Sequence, residues 1–401
     1  MNQKLAAAAL FAVTALIVVL FPGIRATLAA LESPQAQSVH VVAPPTRPRV
    51  EVVFVLDTTG SMGGLIAAAK EKIWSIATTM ASANEAPEIR MGLIAYRDRG
   101  DAYVTKQVDL SADLDSLHAQ LMDLRAQGGG DGPESVNQAL YEAVHAMSWS
   151  TNAEVYKTVF LVGDAPPHMD YQDDVPYAQT LRAAAGLGIV VNTIQAGRMQ
   201  ATERPWQHIA QLGGGAYLQV GSQGDAVAIA TPFDERLAAL AAKLDRTRLY
   251  YGDAEDRARG EKKQAAASRL HEDASDQSQA RRAVFNASAS GSGNLLGEKE
   301  LVDDVASGRV ELDAIPAAAL PAPLRELPAP QRAEAIERKA GERSDLTRQI
   351  KALASQRDAY LVDKVNAMGG ARDSLDQKLY DAVRAQGAKA GLSYESAAPR
   401  Y

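Results

Sequence analysis

Residues 50–56 (Val-Glu-Val-Val-Phe-Val-Leu) form a near-continuous apolar run that stops at Asp57. A strand with one face in water alternates apolar and polar side chains, whereas a strand covered on both faces does not. The run therefore predicts a central strand of a parallel sheet, and such a sheet needs helical crossovers. The following residues supply them. Residues 61–82 place Leu65, Ile66, Ala69, Ile73, Ile76 and Met80 on one helical stripe. Residues 89–96 and 103–110 read as strands joined by the polar turn Arg97-Asp98-Arg99-Gly100-Asp101, a hairpin. Helical patterns at 113–126 and 133–148, a buried strand at 157–162 and a helix at 176–187 follow. A second buried strand at 189–195, a helix near 203–212, a strand at 215–220 and a helix over 225–250 complete the alternation. The expected fold class is α/β: a doubly wound, mostly parallel, Rossmann-like sheet with one antiparallel edge strand, followed by a mainly helical C-terminal region.

The sheet accounts for residues 50–232 of 401. Ahead of it, Lys4 precedes an apolar run over 5–21 that Pro22 and Gly23 break, with small residues at 26–30. This pattern reads as a secretory signal or an uncleaved membrane anchor over 1–30, with 31–49 as a tether. The rest of the chain is then expected outside the cytoplasm, periplasmic or extracellular. The chain has no cysteine, which excludes disulfides, thiol catalysis and cysteine-ligated metals. Its net charge of −7 gives no basic footprint for nucleic acid. Beyond the sheet, 233–290 reads as a helical extension, partly disordered, with the Ser-Ala-Ser-Gly-Ser-Gly stretch at 288–293 as a flexible linker. Residues 291–401 read as mainly helical; over 334–366, Leu346, Ile350, Leu353 and Tyr360 mark one long amphipathic helix packing on its own chain. That heptad run is too short to define a coiled coil.

Ligands of open parallel sheets bind beyond the carboxyl ends of the strands. Asp57-Thr58-Thr59-Gly60-Ser61 follows the first strand, Asp164 follows the strand at 157–162, and Gly128-Gly129-Gly130-Asp131-Gly132-Pro133-Glu134 lies between them. Asp57, Asp131 and Asp164 offer carboxylates and Thr59 and Ser61 hydroxyls, an oxygen-only donor set that selects Mg²⁺, Ca²⁺ or Mn²⁺ over zinc or copper. The glycine in the first turn lets residues 57, 59 and 61 converge, and the helix that begins there adds a positive dipole end.

The pattern Asp57-x-Thr59-x-Ser61, a glycine-rich loop and a strand-terminal Asp resembles the metal-ion-dependent adhesion site of the von Willebrand factor type A family. The resemblance covers roughly 50–232. It implies hydroxyl ligands at Thr59 and Ser61, with Asp57 and Asp164 holding the ion mainly through water. The family's second-loop threonine is replaced here by Asp131, which makes the site more acidic than the family pattern. The resemblance implies a non-enzymatic, exported module that binds another protein or a cell-envelope macromolecule through the cation. A third carboxylate predicts tighter cation holding and weaker attraction for an acidic partner.

Other readings of the same residues compete. The Asp57–Ser61 stretch can cap a helix, although Gly64 denies it a capping box. His168 reads as a solvent-facing loop residue beside the solvated acids Asp170, Asp173 and Asp174, and Arg99-Gly100-Asp101 as a hairpin turn. Trp74, Trp149 and Trp206 read as packing residues. A purely structural metal, with partner binding by the C-terminal helices, is the second functional reading. A serine hydrolase is the third: Thr59-Gly60-Ser61-Met62-Gly63 nearly spells a nucleophile elbow, with His208 as its only plausible base.

Overall fold

The apolar run becomes β1 (Arg49–Asp57) in the computed structural model, which describes residues 47–130, 132–223 and 229–395. After β1 come α1 (Gly63–Ala81), β2 (Glu88–Tyr96), β3 (Thr105–Ser111), α2 (Leu114–Asp123), α3 (Val136–His145), β4 (Tyr156–Gly163), α4 (Tyr177–Gly186), β5 (Ile189–Ala196), α5 (Gln200–Leu212) and β6 (Gly214–Val220). The strand order is β3-β2-β1-β4-β5-β6, parallel except for β3, which pairs antiparallel with β2 at the edge. The chain leaves β1 toward β2 on one side and returns to β4 on the other. The crevice between the carboxyl ends of β1 and β4 is therefore the topological switch point.

Each face of the sheet has its own core. Val50, Val52, Leu56, Phe160 and Val162 pack under α1 and α2, while Val53, Val55, Val159 and Leu161 pack with residues of α3, α4 and α5. Glu51 interrupts the apolar run yet is fully buried, because Arg90 Nη1 donates to it at 3.2 Å and the Ser150 N–H at 2.8 Å. Trp74 and Trp206 are core residues, and half-buried Trp149 donates to Ala143 O.

The second half of the chain consists of α6 (Asp234–Asp245), α7 (Ala254–Asp273), α8 (Asp276–Asn286), α9 (Ser292–Leu296), α10 (Leu301–Ala306), α11 (Ala322–Arg325), α12 (Ala329–Ala367) and α13 (Leu375–Gly387). These helices are not an appendage. Leu270, Phe285, Leu375, Leu379, Tyr380, Val383, Leu392 and Tyr394 belong to the same core as β1 and α1. The buried carboxylate of Asp115 on α2 takes two hydrogen bonds of 2.6 Å from Arg282 on α8, and Arg282 also reaches Asp245 at 2.8 Å. α13 is locked to the sheet by the Gln386 amide, which pairs with Asn192 on β5 and accepts from Tyr156 OH at 2.8 Å. Lys72 on α1 pairs with Asp376 at 2.8 Å, both buried.

Two sequence expectations are corrected here. Within 233–290, expected to be partly disordered, residues 254–273 and 276–286 form two helices, and ion pairs to the sheet domain hold this segment poor in apolar anchors. The Ser-Gly stretch is not a flexible linker: Gly291 is buried, and a Cβ there would lie 1.8 Å from Phe285 O, so glycine serves close packing. The long helix α12 does pack on its own chain, burying Leu346, Ile350 and Leu353 with residues of α6 and α8. The apolar segment at 5–21 lies outside the described residues; among those described, no helix is long and apolar enough to cross a membrane.

Candidate functional site

β1 runs into the switch point and delivers Asp57 with no solvent exposure, beside buried Thr58 and Thr59. Asp57 Oδ1 accepts from the Thr59 N–H at 2.8 Å and from its hydroxyl at 2.7 Å. The Thr59 hydroxyl lies 3.5 Å from that of Ser61, which is exposed at the mouth. Neither Asp57 nor Thr59 caps a helix by side-chain hydrogen bonding, so the capping reading of the motif does not hold.

Two buried polar oxygens lie together at the end of β4. Asp57 Oδ2 and Tyr96 OH have no hydrogen-bond partner among the described residues. Both crowd the bare Cα of Gly163 at the end of β4: a Cβ there would lie 2.6 Å from Tyr96 OH and 3.1 Å from Asp57 Oδ2. Burial pushes the Asp57 carboxyl up to about 7, opposed by its hydrogen bonds from Thr59 and reinforced by the charge of Asp164. Burial, with Asp57, Glu134 and Asp164 nearby, raises the Tyr96 phenol well above its ordinary value. A buried carboxylate with one oxygen unsatisfied is costly unless a cation or proton meets it.

Asp164 follows β4 half-buried, its carbonyl accepting from Thr202 at 2.7 Å. Thus Asp57, Thr59, Ser61 and Asp164 gather at the carboxyl ends of β1 and β4, while Asp131 lies outside the described residues. Among the described residues no group of three or more His, Cys, Asp or Glu is spaced to hold an ion by itself. Hydroxyl donors therefore have to complete any cation site here. The oxygen-only donors and the unsatisfied Asp57 Oδ2 fit a hard divalent cation.

Glu134 is the residue that the sequence reading passed over. It is buried, and its Oε1 lies 3.1 Å from where a Cβ on Gly129 would stand, a point 3.2 Å from Thr59 Cβ. Its backbone is fixed between two loops: its N–H donates to Pro166 O at 2.9 Å and its carbonyl accepts from the His168 N–H at 3.0 Å. The proline before it and the helix after it were its only sequence signals.

The β2–β3 turn organises the loops from outside. Asp101 Oδ2 accepts the Gly129 N–H at 3.0 Å, and its carboxylate fills the space a side chain on Gly128 would need. Gly128 and Gly129 have φ of +80° and +76°, which favours glycine at both. Gly60 N–H donates to Gly128 O at 3.1 Å, Gln127 N–H to Thr58 O at 3.1 Å, and buried Arg97 Nε to Thr58 O at 3.2 Å. Arg99 stacks over the Tyr171 ring at 4.1 Å and pairs with Asp173 and Asp174, so the Arg-Gly-Asp turn is engaged internally. His168, expected in solvent, is buried: Nδ1 meets Asp170 at 2.8 Å and the ring stacks on Tyr171 at 4.1 Å. Asp170 stays exposed while orienting it.

Ser61 Oγ has Thr59 as its hydrogen-bonding neighbour, and His208 Nδ1 is engaged with Tyr177 OH at 3.0 Å.

Comparison with known proteins agrees with this geometry over the sheet. Residues 51–222 match the family model described as von Willebrand factor A domain. A putative ariadne-like RING finger protein of Acanthamoeba polyphaga mimivirus is 31% identical over 119 residues, 30% of this chain and 11% of that protein. The alpha-protein kinase vwkA of Dictyostelium discoideum is 28% identical over 120 residues, 30% of this chain and 19% of that protein. The chain thus spans a fifth or less of the length of these curated relatives. Among solved structures, the SpRpn10 VWA domain is 14% identical with a TM-score of 0.34, covering 44% of this chain and 89% of that one. Proximal thread matrix protein 1 from the mussel byssus is 13% identical with a TM-score of 0.33, covering 44% and 42%. Likenesses that low say nothing of function. The family match, the strand order and the loop at the end of β1 agree, and residues 51–222 are a von Willebrand factor A domain.

Proposed function

We propose that this protein is a non-enzymatic binding module that grips a macromolecular partner through a divalent cation, Mg²⁺ or alternatively Ca²⁺ or Mn²⁺. Asp57, Thr59, Ser61 and Asp164 would hold the ion, which supplies a positive focus at the mouth of the switch point. The observation that carries this reading is the fully buried Asp57 carboxylate with Oδ2 unsatisfied, beside two hydroxyls. Domains of this family commonly bind other proteins, so the partner class is a protein or another cell-envelope macromolecule. An exported location follows from the N-terminal apolar segment of the sequence and belongs to the same proposal.

The test is capture of partners from cell-envelope extract with Mg²⁺ and with a chelator, using the wild type and the double variant Asp57→Ala, Ser61→Ala. The expected result is a set of partners lost both in chelator and in the variant. Capture unchanged in chelator would mean that the site is not the binding surface. The alternative, a structural ion with binding by the helices, would give that outcome while Mg²⁺ still raised the melting temperature.

A further inference from the structure

The C-terminal helices carry a surface of their own, away from the crevice between β1 and β4. Along one side of α12, α10 and residues 311–313 leave an open groove. Its floor is apolar, made by half-buried Val305, Leu312 and Ala340 and by buried Ile336. One half is edged by Glu311, Asp313 and Glu337, the other by Arg348 and Lys351, and Ala306 and Ala340 line both halves. We propose that this groove is the interface of a symmetric dimer, in which α12 of a second copy of the chain lies antiparallel across it and sets each acidic half against a basic one.

Charge and spacing on this one helix favour a copy of the chain over an unrelated partner. Glu337 and Lys351 lie seven residues before and seven after Ser344, and all three are exposed. Seven residues make close to two helical turns, so the three stand on one side of α12, each charge about 10 Å from Ser344. A two-fold axis at Ser344 therefore brings Glu337 of each copy against Lys351 of the other. Such a self-complementary patch is what a two-fold interface requires. Ala333, Glu337, Ala340, Ser344, Thr347 and Lys351 also follow the alternating spacing of four and three that keeps one helix facing another. This is not the face that buries Leu346, Ile350 and Leu353 against α6 and α8. Among the described residues, Glu311, Asp313, Glu337 and Lys351 form no ion pair within the chain, and Arg348 pairs with Asp345 of its own helix. Arg343 and Asp303, which also line the basic half, are occupied by Glu300 and Arg309. No residue of the groove belongs to the sheet domain, so the dimer does not depend on the cation.

Sedimentation equilibrium of the full chain with two opposite charge reversals tests the pairing. The wild type should dimerise, and more weakly as added salt screens the charges. Glu337→Lys and Lys351→Glu should each weaken self-association about tenfold or more, because either change turns two attractive pairs into repulsive ones. An equimolar mixture of the two variants should associate again, to within about threefold of the wild type, since every pair across the axis is then opposite in sign. Association recovered only in the mixture is an outcome that no folding defect produces, and far-ultraviolet dichroism shows that each variant is folded. A wild type that stays monomeric up to about 100 µM would overturn the proposal and leave the groove to a different protein. Self-association unchanged in both variants would put the dimer contact elsewhere and overturn it equally. Loss in both without recovery in the mixture would refute the antiparallel pairing.

Discussion

At the scale of single residues, the fold decides which polar groups are structural and which are left for a ligand. His118 is structural. Trp74 Nε1 donates to its Nδ1 at 2.9 Å, so its proton sits on Nε2, which lies 2.9 Å from Lys70 O. Burial, only partly offset by the Lys70 carbonyl, lowers its pKa to about 4. The folded protein therefore refuses a proton that the unfolded chain accepts below about pH 6.5. This contribution is fully present above about pH 6.5 and is lost as pH falls toward 4, amounting to roughly 3 kcal/mol. Urea melts between pH 7 and 4 should show that slope, and His118→Gln should flatten it. Asp101 works differently, as a brace for Gly128 and Gly129. Asp101→Ala should leave stability within about 1 kcal/mol and weaken Mg²⁺ binding about tenfold, as removal of supporting contacts does; calorimetry would check it. The acids of the site could be found in the sequence by type, but not ranked. Glu134 suits an oxygen-ligand site by type alone, and its burial comes from the pairing of the second loop with residues 166–168, which no local pattern announces.

At the scale of elements, β-strands were the most legible part of the chain. Near-continuous apolar runs at β1, β4 and β5 can satisfy their side chains only in a doubly covered sheet, and the polar turn after β2 marked the edge hairpin. The role of α13 was not legible. Its pattern is an ordinary amphipathic helix, and nothing local says that it returns across more than a hundred residues to cover β5 and β6. Gln386 makes that return specific by satisfying Asn192 and Tyr156 inside the core. Gln386→Ala removes the acceptor of Tyr156 OH and one partner of Asn192, which keeps Thr158 and Ala216, and should cost roughly 1–3 kcal/mol, read as a lower urea midpoint at unchanged slope. The nearly isosteric Gln386→Glu should also destabilise, since it buries a charge and loses the donor to Asn192.

At the scale of the whole molecule, the composition change near residue 233 marks no break in packing, because the core of the sheet domain includes α8 and α13. Deleting 253–401 to separate a tail from a domain would uncover that core, so point variants are the sound way to divide their roles. Arg282, buried against Asp115 and Asp245, welds the halves together; opposing burial, the two acids raise its already high pKa further. Arg282→Ala removes the main partner of two buried carboxylates, leaving Arg248 beside both and Lys263 near Asp115, and should cost about 3 kcal/mol; tryptophan fluorescence and far-ultraviolet dichroism should melt together at the lower temperature. In the crevice between β1 and β4, the fully buried Asp57 carboxylate keeps Oδ2 without a hydrogen-bond partner among the described residues, and the proposed cation would meet it there. The most direct measurement is the Mg²⁺-dependent shift in melting temperature of the full chain, compared with Asp57→Ala, Ser61→Ala. The expected result is a saturable rise in the wild type, reversed by chelator and absent from the variant. A wild type indifferent to Mg²⁺, Ca²⁺ and Mn²⁺ alike, or a variant stabilised as much as the wild type, would contradict it.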